Sequence, residues 1–295
     1  MKKRVDIKIG YQCNNHCKFC VQGDKRDCCR DKTTQEIKAI LKNSKADYQE
    51  VIFTGGEATI RPDIVELVSC SRNLGYKVHI QTNGRMFAYN DFCKMMVSKG
   101  AELFTIAIHG HNPQLHDYLT GAKGSFNQTL SGIKNLLSMG CLVFTNTVIT
   151  RQNYRYLPEI SDFLMGLGIY EYKLTFPHIM GSAFKNRKSI IPRKSVVSAY
   201  VRKSLEIGLK KKRRPLTEAI PFCFLGPYID CAIENFEHEV KVFDTHLTED
   251  FNLWRKEEGT LKADKCNRCR YFKRCDGPWR EYPQLYGWSE FKPVR

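Results

Sequence analysis

The sequence predicts an α/β protein: a partial (β/α)6 TIM-like barrel followed by a small cysteine-rich C-terminal domain. Three observations predict it. Six strand-like runs recur up to residue 178, and five of them lead into runs with helical spacing of apolar residues. Glycines stand where those helices should end. Polar and unusual residues fall repeatedly at the carboxyl ends of the strand runs, where a parallel βα array presents its ligand groups.

The elements follow in order. VDIKIG (5–10) precedes a loop bearing Cys13, Cys17 and Cys20, and then TTQEIKAILKNS (33–44). EVIFTGG (50–56) precedes RPDIVELVSCSRNLG (61–75), and KVHIQTN (77–83) precedes NDFCKMMVSKG (90–100). ELFTIAIHG (102–110) precedes SFNQTLSGIKNLLSMG (125–140), in which Leu130, Ile133 and Leu137 share a helical face. CLVFTNTVIT (141–150) precedes YLPEISDFLMGLG (156–168), and YEYKLTFPH (170–178) comes sixth. Gly75, Gly100, Gly140 and Gly168 mark helix ends. The strand ends carry Cys13, Gly55-Gly56-Glu57, Gln81-Thr82-Asn83, His109-Gly110-His111, Asn146-Thr147 and Pro177-His178. A parallel sheet needs cover on both faces, which a closed or half-closed barrel supplies.

After about residue 184 the rhythm changes. FKNRKSIIPRK reads as a loop, and 194–210 as a basic amphipathic helix. The expected division is a core at 1–190, a basic helical linker at 191–220 and a cysteine-rich domain at 221–295.

Composition narrows the class. The chain has 295 residues, 42% hydrophobic and 12% aromatic, enough for a sizeable core. No run of 18 apolar residues exists, so no membrane helix is expected. The basic start lacks the apolar stretch of a secretory signal, and a cytoplasmic location is expected. There, thirteen cysteines clustered at short spacings favour metal binding or catalysis over disulfides. Cys70, Cys93 and Cys141 lie in apolar patterns and read as small buried hydrophobes. The net charge of +16, with KKKRR at 210–214, suits acidic peptides or phosphate groups. No nucleic-acid motif accompanies it, so a nucleic-acid partner is not expected.

The CxxxCxxC spacing of Cys13, Cys17 and Cys20 is too tight for a usual zinc finger. A loop of this length can wrap one face of an iron–sulfur cube, leaving one iron open for a substrate or cofactor. With Phe19 before the third cysteine, TGGE ending the second strand and the βα pattern to about residue 184, the chain resembles the radical S-adenosylmethionine (SAM) superfamily. The resemblance implies that SAM chelates the open iron of a 4Fe–4S cluster. An electron, supplied by an external donor such as flavodoxin or ferredoxin, then cleaves SAM to methionine and a 5′-deoxyadenosyl radical, which abstracts hydrogen from a substrate. It also implies that Glu57 receives the methionine ammonium and that Phe19 covers the cluster or adenine. Thr82, Asn83, His109 and Asn146 become candidates for the ribose and carboxylate of SAM. Gly55 and Gly56 are expected to let backbone approach a ligand closely. No side chain is assigned to the hydrogen abstraction itself.

Cys266, Cys269 and Cys275 form CxxCxxxxxC, and Cys223 or Cys231 supplies a fourth thiol. Ligand count alone allows zinc or iron–sulfur. The segment resembles shortened SPASM or Twitch extensions of radical SAM enzymes, which implies one auxiliary 4Fe–4S cluster. Cys223 is preferred, because Pro221-Phe222 before it and Gly226-Pro227 after it suggest a tight turn. Cys28 and Cys29 read as exposed loop thiols or a redox pair, and His111 and His116 as hydrogen-bonding loop residues.

The resemblance favours an enzyme acting on a peptide or protein side chain. Cofactor or small-molecule biosynthesis is the alternative. A first strand at about residue 5 is expected to leave no room for a peptide-recognition domain ahead of it. A non-catalytic electron carrier or zinc-stapled nucleic-acid binder would leave GGE and the βα array unexplained.

Overall fold

The structure is a computed structural model that describes residues 2–236 and 238–295. Nine strands form one sheet: β1 (Lys2–Gly10), β2 (Glu50–Gly55), β3 (Lys77–Thr82), β4 (Ala101–Ala107), β5 (Leu142–Val148), β6 (Glu171–Thr175), β7 (Arg214–Glu218), β8 (His238–Phe243) and β9 (Leu247–Thr248). Their order is β7-β6-β5-β4-β3-β2-β1-β8-β9. All neighbours are parallel except β8 and β9. The sheet is α/β in class and open, a partial TIM-like barrel.

Helices α1 (Thr34–Ser44), α2 (Ile64–Asn73), α3 (Asn90–Ser98), α4 (Pro113–Thr120), α5 (Ser125–Ser138) and α6 (Leu157–Gly166) cover its outer face. Each buries an apolar stripe. In α1, Ile37 and Leu41 are buried, and a Thr33–Glu36 capping box fixes the start. Opposite lie Val5, Ile7 and Ile9 of β1, Val51 and Phe53 of β2, and Phe104 and Ile106 of β4, all buried. Alternate strand residues point the other way, and they mix polar side chains with apolar ones such as Ile52 and Phe144. His79 Nε2 lies 2.8 Å from Thr105 Oγ1, and Thr175 Oγ1 donates to Asn146 Oδ1 at 2.6 Å. The helices therefore pack on a greasy outer surface, and the concave face is hydrogen-bonded.

One expectation is corrected. The segment 184–194 is not all loop: α7 (Gly181–Lys185) and α8 (Arg187–Ile190) occupy part of it. The segment 191–220 carries a long helix and a strand. Its helix α9 (Lys194–Lys210) buries Val197, Val201 and Leu205 against the fold, packing on α6. Its β7 pairs with β6 from Glu171↔Arg214 to Thr175↔Glu218. Within the cysteine-rich segment, β8 pairs with β1 over Lys2↔His238 to Ile7↔Phe243. KKKRR masks β7 in the sequence: it straddles the end of α9 and the start of the strand, and RPLTE offers a short pattern with proline.

Candidate functional site

The cysteine loop leaves β1 and is pinned at both ends. Tyr11 N donates to Asp31 Oδ1 at 2.7 Å, and Arg61 Nη1 donates to Ile9 O and Lys32 O. Its middle lies along the end of α4, through His16 N to Thr120 O and Lys18 N to Leu119 O. The segment after β6 covers the far side: Ser182 N donates to Cys20 O at 2.8 Å, and Asn186 Nδ2 to Lys18 O at 2.9 Å.

This frame brings Cys13, Cys17 and Cys20 into one neighbourhood. Burial pushes all three thiols up, and Cys17 rises further from the charge of the other two. Arg26 acts the other way on each of them and hydrogen-bonds Cys20. A guanidinium among thiols favours the thiolates that a metal takes. Sequence reasoning missed Arg26, whose only signal was a cation six residues beyond the third cysteine.

β2 ends against the start of this loop. A Cβ on Gly55 would meet Gly10 O at 2.2 Å, and one on Gly56 would meet Tyr11 O and Gln12 O at 2.3 Å. The close approach expected of these glycines is thus to the chain's own backbone. Gly56 N to Gly10 O and Glu57 N to Gln12 O, each 2.8 Å, seal the contact.

Glu57, Thr82 and Asn83 form one wall. Glu57 is 3% exposed, and its Oε1 accepts from Thr59 N, Thr59 Oγ1 and Thr82 Oγ1. Its Oε2 accepts from Asn83 N, at 2.7 Å. Asn83 Nδ2 donates to Asn14 Oδ1 at 2.6 Å and lies 3.9 Å from Cys13 Sγ. Arg85, also missed from the sequence, donates to Asn14 O and Asn15 Oδ1, so β3 and the loop are tied twice.

Phe19 meets His109 edge-on at 4.6 Å. His109 Nδ1 accepts from Val148 N, and His116 Nδ1 accepts from His109 N. Both imidazoles are therefore neutral Nε2–H forms. Burial, with His116 beside it, holds His109 well below the usual range; burial pushes His116 down to about 4. Asn146 stands apart on the concave face, engaged with Thr175.

The Radical SAM superfamily profile matches residues 7–164, more than half of the chain, with Cys13, Cys17, Cys20 and Glu57 inside the match. The chain belongs to the radical SAM superfamily. Membership implies a 4Fe–4S cluster and SAM. This radical SAM protein is 24% identical over 317 aligned residues to an AdoMet-dependent heme synthase of Oleidesulfovibrio alaskensis, covering 92% of the chain and 80% of that relative. It is 28% identical to a probable GTP 3′,8-cyclase of Saccharolobus islandicus over 70% of the chain and 66% of the cyclase. Among solved structures, Streptococcus suis SuiB bound to S-adenosylmethionine shares the fold with a TM-score of 0.67 and 16% identity, over 94% of the chain and 73% of SuiB.

The residues fit the group that membership implies. Three thiols share one loop with a cation beside them. Among the described residues, Asn83 N is the one donor to Glu57 Oε2, which leaves a lone pair for an incoming ammonium. Phe19 and neutral His109 provide an aromatic wall.

A second set of thiols lies in the C-terminal segment. Cys223, Cys266, Cys269 and Cys275 line one cavity with Phe222, Phe272 and Phe291. Burial pushes Cys223 up to about 12, helped by Cys275, Cys266 and Cys269. Val294 N contacts Cys269 Sγ at 3.4 Å, so the end of the chain wraps this cavity. Cys231 does not line it; buried in the core, it lies near Tyr172 of β6. Cys28 and Cys29 place their sulfurs 3.4 Å apart near the surface of the first loop, outside both sets. Among the described residues, no helix is long and apolar enough to cross a membrane.

Proposed function

We propose that this protein cleaves SAM reductively at a cluster held by Cys13, Cys17 and Cys20 and abstracts hydrogen from a peptide or protein side chain. The observation that carries the reading is the three-thiol loop sealed against the Gly55-Gly56-Glu57 strand end. When bound, cluster and SAM supply an electron from an external donor and the 5′-deoxyadenosyl radical. The chain's own residues bind, orient and shield. Glu57 Oε2 accepts the methionine ammonium, held on target by Thr59, Thr82 and the Asn83 amide. Phe19 and His109 close the side of the cysteine loop, and His109 offers a fixed Nε2–H. Cys223, Cys266, Cys269 and Cys275 hold an auxiliary 4Fe–4S cluster.

The rim of the barrel mouth supports the peptide class. Tyr118, Tyr156, Met180 and Phe184 are 44–51% exposed there. Lys18 lies over Tyr118, and Arg187 over Phe184. Aromatic faces alternating with cations suit an extended acidic chain. One observation favours a second reading, a small cofactor precursor: the likeness to the heme synthase spans 92% of the chain.

The first test is anaerobic reconstitution followed by assay of 5′-deoxyadenosine. Replacing Cys13, Cys17 and Cys20 with alanine should abolish its formation, and undiminished cleavage would end the reading. Candidate substrates then separate the two classes. Deuterium passing from a labelled acidic peptide into 5′-deoxyadenosine supports the first, and deuterium passing from a labelled tetrapyrrole supports the second.

A further inference from the structure

Asp244 follows β8 in the hairpin turn, and its carboxylate collects donors from the opposite end of the chain. Lys8 Nζ and Lys25 Nζ both donate to its Oδ2, each at 2.8 Å. Tyr11 Oη donates to Oδ1 at 2.7 Å, as does Thr245 N at 2.8 Å. Lys32 Nζ donates to the Asp244 backbone oxygen at 2.8 Å. Lys8 stands near the end of β1, Tyr11 opens the cysteine loop, Lys25 lies within it and Lys32 closes it. One residue of the hairpin thus grips the loop at its start, middle and end.

The charges make the grip specific. Two ammonium groups share one oxygen, so each tolerates the other only while the carboxylate is present. Side-chain exposures of 18–21% for Asp244, Lys8 and Lys25 mean that water screens these pairs only in part. Burial pushes the Asp244 carboxyl up, yet Lys8, Lys25 and Tyr11 outweigh it and hold the group well below the usual carboxylate range. Lys8 is fixed in the sheet by its pairing with Thr54 of β2. Lys25 is not in the sheet, so relief of repulsion falls on the loop. Tyr11, 2% exposed, donates its hydroxyl to the same carboxylate.

We propose that Asp244 is a positioning residue for the radical SAM reaction: by neutralising Lys8 and Lys25 it sets the conformation of the loop that carries Cys13, Cys17 and Cys20. The inference rests on the cluster reading only where a redox potential is measured. The loop arm is read on the whole chain without cluster, so failure of one is distinguishable from failure of the other.

Asp244→Asn keeps the shape and removes the charge. Amides of residues 12–32 should then exchange with solvent about tenfold faster, with α2 and α5 unchanged. In the reconstituted protein the midpoint potential of the core cluster should shift upward, because lost negative charge favours the reduced cluster. Asp244→Asn/Lys25→Gln leaves a single ammonium at that side chain, so exchange at residues 12–21 should return to within about threefold of the parent, while 22–30 stay as fast as in Lys25→Gln. Lys25→Gln alone keeps the Lys8–Asp244 pair and should free residues 22–30 only, a check that does not depend on the Asp244 variant folding. Unchanged loop exchange in Asp244→Asn overturns the proposal. So does a double variant that exchanges as fast as Asp244→Asn at residues 12–21, or unchanged 22–30 exchange in Lys25→Gln.

Discussion

Glu57 carries four protein hydrogen bonds and one open lone pair, so it binds and braces at once. Glu57→Gln removes the charge an ammonium needs while touching no thiol. SAM affinity should fall about ten- to a hundredfold, from the roughly 1.5–3 kcal/mol of a charge-assisted hydrogen bond. Calorimetric titration of the reconstituted variant checks this, with iron content as the control; unchanged affinity would make Glu57 a brace alone. His116 gives a pH prediction. In the unfolded chain it takes a proton below its ordinary value of 6.5, but in the folded protein only below about 4. Between these values the unfolded state holds more protons, so stability rises with pH and is lost on acidification. The loss approaches about 1.4 kcal/mol per pH unit and about 3 kcal/mol over the window. Urea melts from pH 7.5 to 4.5 read it, and His116→Gln should flatten that limb by about one proton. At this scale the sequence was legible where spacing carries chemistry, as in Cys13, Cys17, Cys20 and Glu57. It was silent on Arg26, Arg85 and Asp244, ordinary charged residues whose meaning lies in partners that folding supplies.

The contact between the end of β2 and the cysteine loop depends on glycine. Gly56→Ala places a methyl 2.3 Å from Tyr11 O and Gln12 O, both backbone atoms that cannot swing aside. The loop must lift from the strand end, and cluster uptake in reconstitution should drop to less than about half, since backbone displacement costs several kcal/mol. Normal iron loading and normal 5′-deoxyadenosine formation would show that the loop tolerates the shift. The C-terminal thiol set yields a second prediction. Replacing Cys266, Cys269 and Cys275 with alanine should lower iron from about eight to about four per chain, if each set holds four irons. SAM cleavage should survive, because the core motifs lie within 7–164, while product formation is lost. Full product yield from a folded variant would remove the auxiliary set from the reaction. Element types were readable through β6 because apolar periodicity there is strong. β7 and β8 escaped notice: RPLTE is short, and HEVKVF lies among turns in a segment whose cysteines draw the eye.

At the scale of the molecule, β8 beside β1 turns an apparent two-part chain into one sheet. A chain cut after residue 190 should therefore not behave as a stable core. It would bare the edges of β1 and β6 and lose the Asp244 contacts. Light scattering and cluster uptake test this, and a monodisperse 1–190 fragment that loads iron would restore the original boundary. The division at 190 was drawn where the βα rhythm fades, and rhythm reports local periodicity; the pairing of β1 with β8 joins residues more than two hundred apart and leaves no local trace. That pairing also orders events in time. On the ribosome β1 is made first and must wait for almost the whole chain before its outer partner exists. Contacts of such span form late. The cysteine loop, whose lysines await Asp244, is therefore unfinished during most of synthesis, and metal offered early meets a loop still open. Cluster delivery to this protein belongs after β8 and Asp244 have been made and have docked on β1.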